Sequence, residues 1–295
     1  VLVVPSHLFI YIRVENLNGS PLCSDTMKIF YRISDKGRRD EKPDYINLRS
    51  CLSNFCQHFA VEDITVIADN CEPETLEFIR SRIPRNNVHA TSLGNAGSFM
   101  LALKKGAELS CDENTIVYMV EDDYIHAENS CRILKEGFQH GDYVSLYDHP
   151  DKYMSDYPNP YVKDGGENTK VFLTKSTHWK LTNSTPMTFA SKIKTIRRDF
   201  ELISSYCTGK TTQSFLMFCD LIQNKKRKLV TPIPGRATHG QLPWLGPLVD
   251  WKAQTSTGPL AHESRPAPAH GPPHEDHERA HLRAVVEQHE RLRGH

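Results

Sequence analysis

The 295-residue chain has no excess of either charge: 36 lysines and arginines stand against 36 aspartates and glutamates. That balance removes the electrostatic drive for general nucleic-acid binding. The local basic run Lys225-Lys226-Arg227-Lys228 reads as a solvated helix end. The eight cysteines contain no CxxC pair. Most lie inside apolar stretches, as Cys51, Cys56 and Cys219 do, which reads as small buried thiols of a reducing compartment rather than a disulfide framework. A cytoplasmic location is therefore expected. No apolar run is long enough to span a bilayer, so membrane association is not evident. Residues 1–12 are apolar up to Arg13, a short lead compatible with the remnant of a signal or anchor. Two nucleotide fingerprints are also missing: there is no GxGxxG after the first strand and no GxxxxGK[ST] anywhere. Dinucleotide and P-loop chemistry lose most of their weight without a glycine cradle for phosphate.

What is present is a β-branched apolar run, residues 115–120, ending in Glu121-Asp122-Asp123. The run predicts a buried strand. Three adjacent carboxylates repel one another and need a cation in reply, and a hard divalent ion on oxygen ligands is the obvious one. Around this segment strands and helices alternate. Residues 28–33, 64–68, 88–92 and 143–147 read as strands. Residues 45–59 carry apolar groups at helical spacing, and residues 73–79 open a helix with Pro73 in its first turn, where a missing N–H is harmless. Asn95-Ala96-Gly97-Ser98 reads as a turn into a helix over 99–109. Such alternation predicts an α/β domain with a mostly parallel sheet flanked by helices. Right-handed crossovers then bring the strand C-termini, with Asp69, Asn95, Gly97 and the acid triplet, to one crevice.

The ends differ from the middle. Met27 looks like a natural start, and residues 1–26 read as an extension of uncertain relevance. The body is expected over 27–257. Residues 258–295 are rich in Pro, His, Arg, Ala and Glu and poor in large apolar groups. Such a segment cannot bury enough surface to offset its ordering entropy, which predicts a disordered tail. His274, His277 and His281 could share a helix face there and bind metal adventitiously.

The order Asp69-Asn70 after a strand, Asn95-Ala96-Gly97, a helix with Ala102 and Gly106, then a strand ending in Glu121-Asp122-Asp123 resembles nucleotide-sugar glycosyltransferases of GT-A fold, close to the large family 2. The resemblance covers about residues 28–251, with the acceptor-binding part in the C-terminal half. It implies a Rossmann-like GT-A sheet, a Mn2+ or Mg2+ cofactor, a nucleotide-diphosphate sugar donor and a glycan or other hydroxyl acceptor. The acids would be the counterpart of the DxD motif, with Asp123 the main metal ligand and Glu121 and Asp122 contacting ribose or supporting the site. Asp69 would contact the base or ribose, and Asn95 and Gly97 would form the turn beside the donor. His239, in Ala237-Thr238-His239-Gly240, would complete the metal shell.

Transfer with inversion needs a base for the acceptor hydroxyl. The helix expected to carry it starts with Thr212, Gln213 and Ser214, none of which is a good base. Asp220, two turns further along, and Asp199 are the candidates; an intrahelical ion pair is the competing explanation for Asp199. Asp148 and Asp164 are further ones. Trp179, beside His178 and Lys180, is a candidate acceptor platform, and the loop over 148–167 has the length and composition of a lid. The main expectation is a metal-dependent, inverting hexosyltransferase or related enzyme. A sugar nucleotidyltransferase and a nucleotide- or glycan-binding module without turnover are the alternatives.

Overall fold

The structure is a computed structural model that describes residues 27–37, 41–155 and 159–255. The expected extension at 1–26 and the histidine-bearing tail at 258–295 lie outside the described residues.

The first half of the chain alternates as its sequence predicts. Strand β1 (Met27–Ile33) leads to helix α1 (Leu48–His58), β2 (Ile64–Asp69), α2 (Pro73–Arg80), β3 (Val88–Thr91), α3 (Gly94–Ala107) and β4 (Ile116–Glu121). The chain continues through β5 (Tyr124–His126), α4 (Ser130–Gly137), β6 (Tyr143–Val144), β7 (Val171–Leu173), β8 (His178–Leu181) and β9 (Phe189–Lys192). Helices α5 (Ile193–Ser205) and α6 (Ser214–Gln223), strands β10 (Leu229–Ile233) and β11 (Ala237–His239) and the short α7 (Trp251–Gln254) complete it.

Nine strands form one sheet in the order β3-β2-β1-β4-β9-β6-β10-β8-β7, and β11 pairs with β5 in a separate ribbon. β8 and β9 run against the other seven strands of the sheet. The expected α/β layout is thus present: a large sheet, mostly of one direction, with helices on both faces. The antiparallel β9, inserted between β4 and β6, was not legible in advance, because its four residues carry no turn signal that distinguishes a return strand from a crossover.

Side chains alternate across the central strands, as the pleat requires. Ile29, Tyr31 and Ile33 of β1 join Tyr118 and Val120 of β4 in a core with α1, α2 and α4. Phe30, Val117 and Met119 join the opposite core with α3, α5 and α6. The same alternation puts Arg32 and Glu121, direct partners in the β1–β4 register, on the α3 side of the sheet edge.

Helix boundaries differ from expectation in two places that matter for the site. α1 begins at Leu48, where Asn47 forms a capping box with Ser50. α3 begins at Gly94, so Asn95 and Gly97 are helical rather than in a preceding turn. The reason is Asp69, whose carboxylate accepts from Leu93 N–H (2.5 Å) and Gly94 N–H (2.9 Å). A cap supplied by a residue distant in sequence lets the helix start earlier than local residues suggest.

Six of the described cysteines form no disulfide, Cys51 and Cys56 among them. Cys131 is disulfide-bonded, so the expectation that the cysteines are reduced fails at that position. No described helix is long and apolar enough to cross a membrane.

Candidate active site

The acid triplet leaves the C-terminal end of β4 beside the end of β1. It is answered at short range by cations of the chain itself. Arg32, 6 % exposed, donates to Glu121 at 2.7 Å and to the Asn95 carbonyl at 2.8 Å. Lys42 donates to Asp123 Oδ2 at 3.0 Å. His239 Nε2 lies 3.1 Å from the same oxygen. Asp122 accepts from the Ser34 amide at 2.8 Å.

These contacts divide the three acids electrostatically. Burial alone would raise the Asp123 carboxyl, but the His239 ring and the Lys42 ammonium outweigh it and hold the group well below the usual range. Asp122 has no cation in contact; burial first and the Asp123 charge second push it up to about 7. Burial raises Glu121 as well, with Arg32 pulling against it. The His239 ring is raised overall, because Asp123 more than offsets the desolvation that would lower it. Two carboxylates one residue apart thus sit in environments that push them in opposite directions.

Beside the acids opens a pocket of about 170 Å³, lined by Ser34, Asp35, Gly37, Lys42, Asn47, Leu48, Asp122 and Asp123. It lies between the strand ends and the N-terminus of α1, where helix geometry places positive potential. A crevice outside the strand C-termini is where open α/β sheets take ligands.

His239 reaches Asp123 because β11 pairs antiparallel with β5, with His239 opposite Tyr124. The next residue, Gly240, donates to the Asp123 carbonyl at 2.7 Å. A Cβ at Gly240 would stand 2.4 Å from Ile46 Cγ2 and 3.0 Å from that carbonyl, so the approach requires glycine.

The remaining expected residues are placed differently. Asp69 is 3 % exposed, and its oxygens are taken by Leu93, Gly94, Thr91 and Asn70. It shapes the start of α3 instead of presenting a free carboxylate to a base or ribose. Asn95 joins Arg32 through its carbonyl and Thr212 N–H through its side chain (3.3 Å). Gly97 lies against Leu93, whose Cβ would be 2.9 Å from a Cβ there.

Neither candidate base is open. Asp199 receives two bonds from Arg227, at 2.7 and 2.8 Å, and one from Tyr143 at 2.8 Å. Asp220 accepts from Tyr206 at 2.8 Å and also from Asn224. Asp148, 1 % exposed, is held by Tyr153 at 2.6 Å and Lys180 at 3.0 Å. Trp179 is no acceptor platform: it is fully buried, donates to Thr174 and packs on Gly137. The loop over 148–167 is tied to the sheet by Lys152–Ser184, Asn159–Asn183 and Glu167–Thr182 contacts.

The resemblance implies Mn2+ or Mg2+ beside these donors. Asp123 Oδ1 is buried with no hydrogen-bond partner, an oxygen left over for a further cation. No group of three or more His, Cys, Asp or Glu arranged for a metal exists among the described residues. Asp123 and His239 therefore do not make a resident ion site. They do fit an ion shared with a substrate, since magnesium-like ions are commonly held by one or two carboxylates plus phosphate oxygens.

Arg32 and Lys42 were not among the expected site residues. A signal existed for Arg32: a lone charge in the otherwise apolar 29–33 stretch of a central strand. None existed for Lys42, which reaches Asp123 across 81 positions.

No family model matches the chain, and no curated protein does. Among solved structures, the mannose-1-phosphate geranyltransferase of Thermus thermophilus aligns at 10 % identity and a TM-score of 0.39, over 75 % of this chain and 76 % of that one. The galactosyltransferase LgtC, in complex with donor and acceptor sugar analogues, aligns at 10 % identity and 0.40, over 70 % and 73 %. The 4-diphosphocytidyl-2C-methyl-D-erythritol synthase of Anaerococcus prevotii aligns at 12 % and 0.37, over 70 % and 88 %. At these scores no activity passes from them to this chain.

Proposed function

We propose that the chain is a glycosyltransferase that takes a sugar from a nucleotide-diphosphate donor and moves it to a hydroxyl acceptor with inversion. One observation carries this reading: the acid triplet at the end of β4 opens on a pocket between the strand ends and the N-terminus of α1, with Lys42 and His239 both on Asp123. A pocket mixing carboxylates, an ammonium and a helix N-terminus suits a ligand with anionic phosphates and polar ribose hydroxyls. As the bond between the sugar carbon and the diphosphate oxygen breaks, negative charge grows on the leaving group. Lys42 and the positive end of α1 are placed to stabilise that charge. A divalent ion held jointly by Asp123, His239 and the diphosphate would act as a Lewis acid on the same oxygens. Asp122, accepting from the Ser34 amide, keeps the end of β1 against the pocket.

Thermal-shift measurements with UDP, GDP, CDP and ADP, each with and without manganese, test the binding. A ligand that binds only the native state raises the melting temperature, by roughly 2.7 kcal/mol of stabilisation at a hundredfold excess over Kd. One nucleotide should do so more strongly with manganese, and Asp123→Ala should remove the manganese-dependent part. His239→Ala should weaken it. Equal responses with and without metal would end the metal reading, and no response to any nucleotide would end the donor reading.

The second reading is a module that binds without turnover. The closed state of Asp199 and Asp220 favours it. Release of nucleoside diphosphate from a nucleotide sugar separates the two, because a binder releases none.

A further inference from the structure

We propose that Lys42 keeps the place of the divalent ion in the ligand-free protein: its ammonium holds Asp123 and gives that carboxylate up only when a diphosphate arrives to receive it. Metal and nucleotide then bind as a pair, each weakly alone. The inference rests on the nucleotide-diphosphate reading and adds how the two ligands of that site depend on each other.

Three groups of the chain answer the acid triplet, and two of them are fixed. Arg32 is 6 % exposed and spends its protons on Glu121 (2.7 Å), the Asn95 carbonyl (2.8 Å) and Ser98 Oγ (3.3 Å). His239 is carried by the pairing of β11 with β5, and the Gly240 amide bond to the Asp123 carbonyl pins the same turn. Lys42 is held differently. Its single side-chain hydrogen bond among the described residues is the 3.0 Å contact to Asp123 Oδ2. The side chain is 26 % exposed and lines the pocket. An ammonium on a flexible four-carbon stem can swing to a new acceptor, because its three donors have no fixed plane.

Asp123 is the carboxylate an incoming ion has to use, and Lys42 stands on it. Oδ2 takes the ammonium and lies 3.1 Å from His239 Nε2, while Oδ1 is buried with no hydrogen-bond partner. A divalent ion on either oxygen meets a positive charge of the chain beside it, and that repulsion lowers the affinity of the empty pocket for metal. A diphosphate changes the balance. Its oxygens accept from Lys42, which leaves Asp123 to the ion, and they also supply ligands to that ion. The gain is reciprocal: whatever the nucleotide adds to metal affinity, the metal adds to nucleotide affinity.

The competing role for Lys42 is a static counterion, which stays on Asp123 whether or not a nucleotide is bound. A static counterion contributes nothing to nucleotide affinity. An ammonium that moves to the diphosphate does, so the two roles differ in what removal of Lys42 does to nucleotide binding.

The experiment titrates MnCl2 into the full chain, alone and with saturating UDP, GDP, CDP or ADP, and reads free Mn2+ by electron paramagnetic resonance. Nucleotide binding is measured by calorimetry, and melting temperature confirms that each variant is folded. Wild type should bind Mn2+ weakly alone and at least about tenfold more tightly with the nucleotide that fits, within the ordinary span of coupling between two ligands. Lys42→Met should bind Mn2+ alone about tenfold more tightly than wild type, bind metal-free nucleotide more weakly, and show a smaller coupling. Lys42→Arg keeps the charge and should behave as wild type. Lys36→Met removes an exposed charge of the same loop and should change Mn2+ affinity less than about twofold, because solvent screens it. Asp123→Ala added to Lys42→Met should abolish the gain, which separates this site from ion bound elsewhere on the chain. A Lys42→Met protein that binds Mn2+ alone no better than wild type overturns the proposal. So does one that gains Mn2+ affinity and keeps full nucleotide affinity, since Lys42 is then a static counterion. A wild type that binds none of the four nucleotides overturns the donor reading, and the exchange with it.

Discussion

Single carboxylates in this site are distinguished by what touches them. Asp123 is held by Lys42 and His239 and stays ionised far below the usual range, whereas Asp122, one residue earlier, is raised to about 7 by burial and by Asp123. The unfolded chain ionises Asp122 near 3.9. Between those values the folded protein binds a proton that the unfolded chain has lost, so this group makes stability fall as pH rises through the window. Asp122→Asn removes the repulsion and keeps an oxygen for the Ser34 amide. At pH 8 the variant should melt above wild type, by a gain on the order of 1 kcal/mol, or roughly 2–4 °C in a chain of this size. Below about pH 4 the difference should vanish. Melting curves across pH check this; a variant that melts lower than wild type at pH 8 would contradict it. Arg32 shows the converse rule, a buried cation tolerated because Glu121 and the Asn95 carbonyl receive its protons.

At the scale of elements, the site is made by terminations. β4 ends in the acids, β1 ends at Ser34, α1 starts at the pocket, and β11 folds back on β5 to deliver His239. α5 and α6 serve a different purpose. The Asp199 side chain of α5 is fully buried against Arg227, which follows α6, with the Tyr143 hydroxyl as third partner. This locks α5 to β6 and to the start of β10. Breaking a buried pair by removing one partner costs about 3–5 kcal/mol, because the other charge is left without its partner. Asp199→Ala should therefore lower the melting temperature strongly, while nucleotide affinity measured below the transition stays as in wild type. A catalytic Asp199 would give the opposite pattern, with stability kept and turnover lost. Thermal melts alongside calorimetric nucleotide titration distinguish them.

At the scale of the molecule, two cores on opposite faces of one sheet hold the edge on which the acid triplet, Lys42 and His239 lie. The region 258–295 lies outside the described residues and is poor in large apolar side chains, a composition expected not to offset the entropy of ordering it. Deleting it should leave melting temperature and nucleotide binding nearly unchanged. A drop of more than a few degrees in the truncated chain would mean that it packs on the body, and the boundary near residue 257 would have to move.

The alternation of strands and helices through residue 121 was legible in the sequence, because hydrophobic period reports which faces are buried. The acid triplet was legible too, since carboxylates closing an apolar strand carry a desolvation cost that marks them. So was His239, a lone imidazole in a small-residue turn, although only the β5–β11 pairing brings it to 3.1 Å from Asp123. The identity of the answering cations was not legible. Lys42 and Arg32 are defined by contacts across 81 and 89 positions, and local pattern contains no term for such pairs. Asp69 and Asp199 look like functional acids in the chain and are spent on structure in the fold, since a carboxylate's role depends on who donates to it. Sequence by itself determined the layers and the acidic strand end, through burial and charge that act locally. Tertiary structure decided which ionisable groups are free to react, because that depends on partners the chain brings together only by folding.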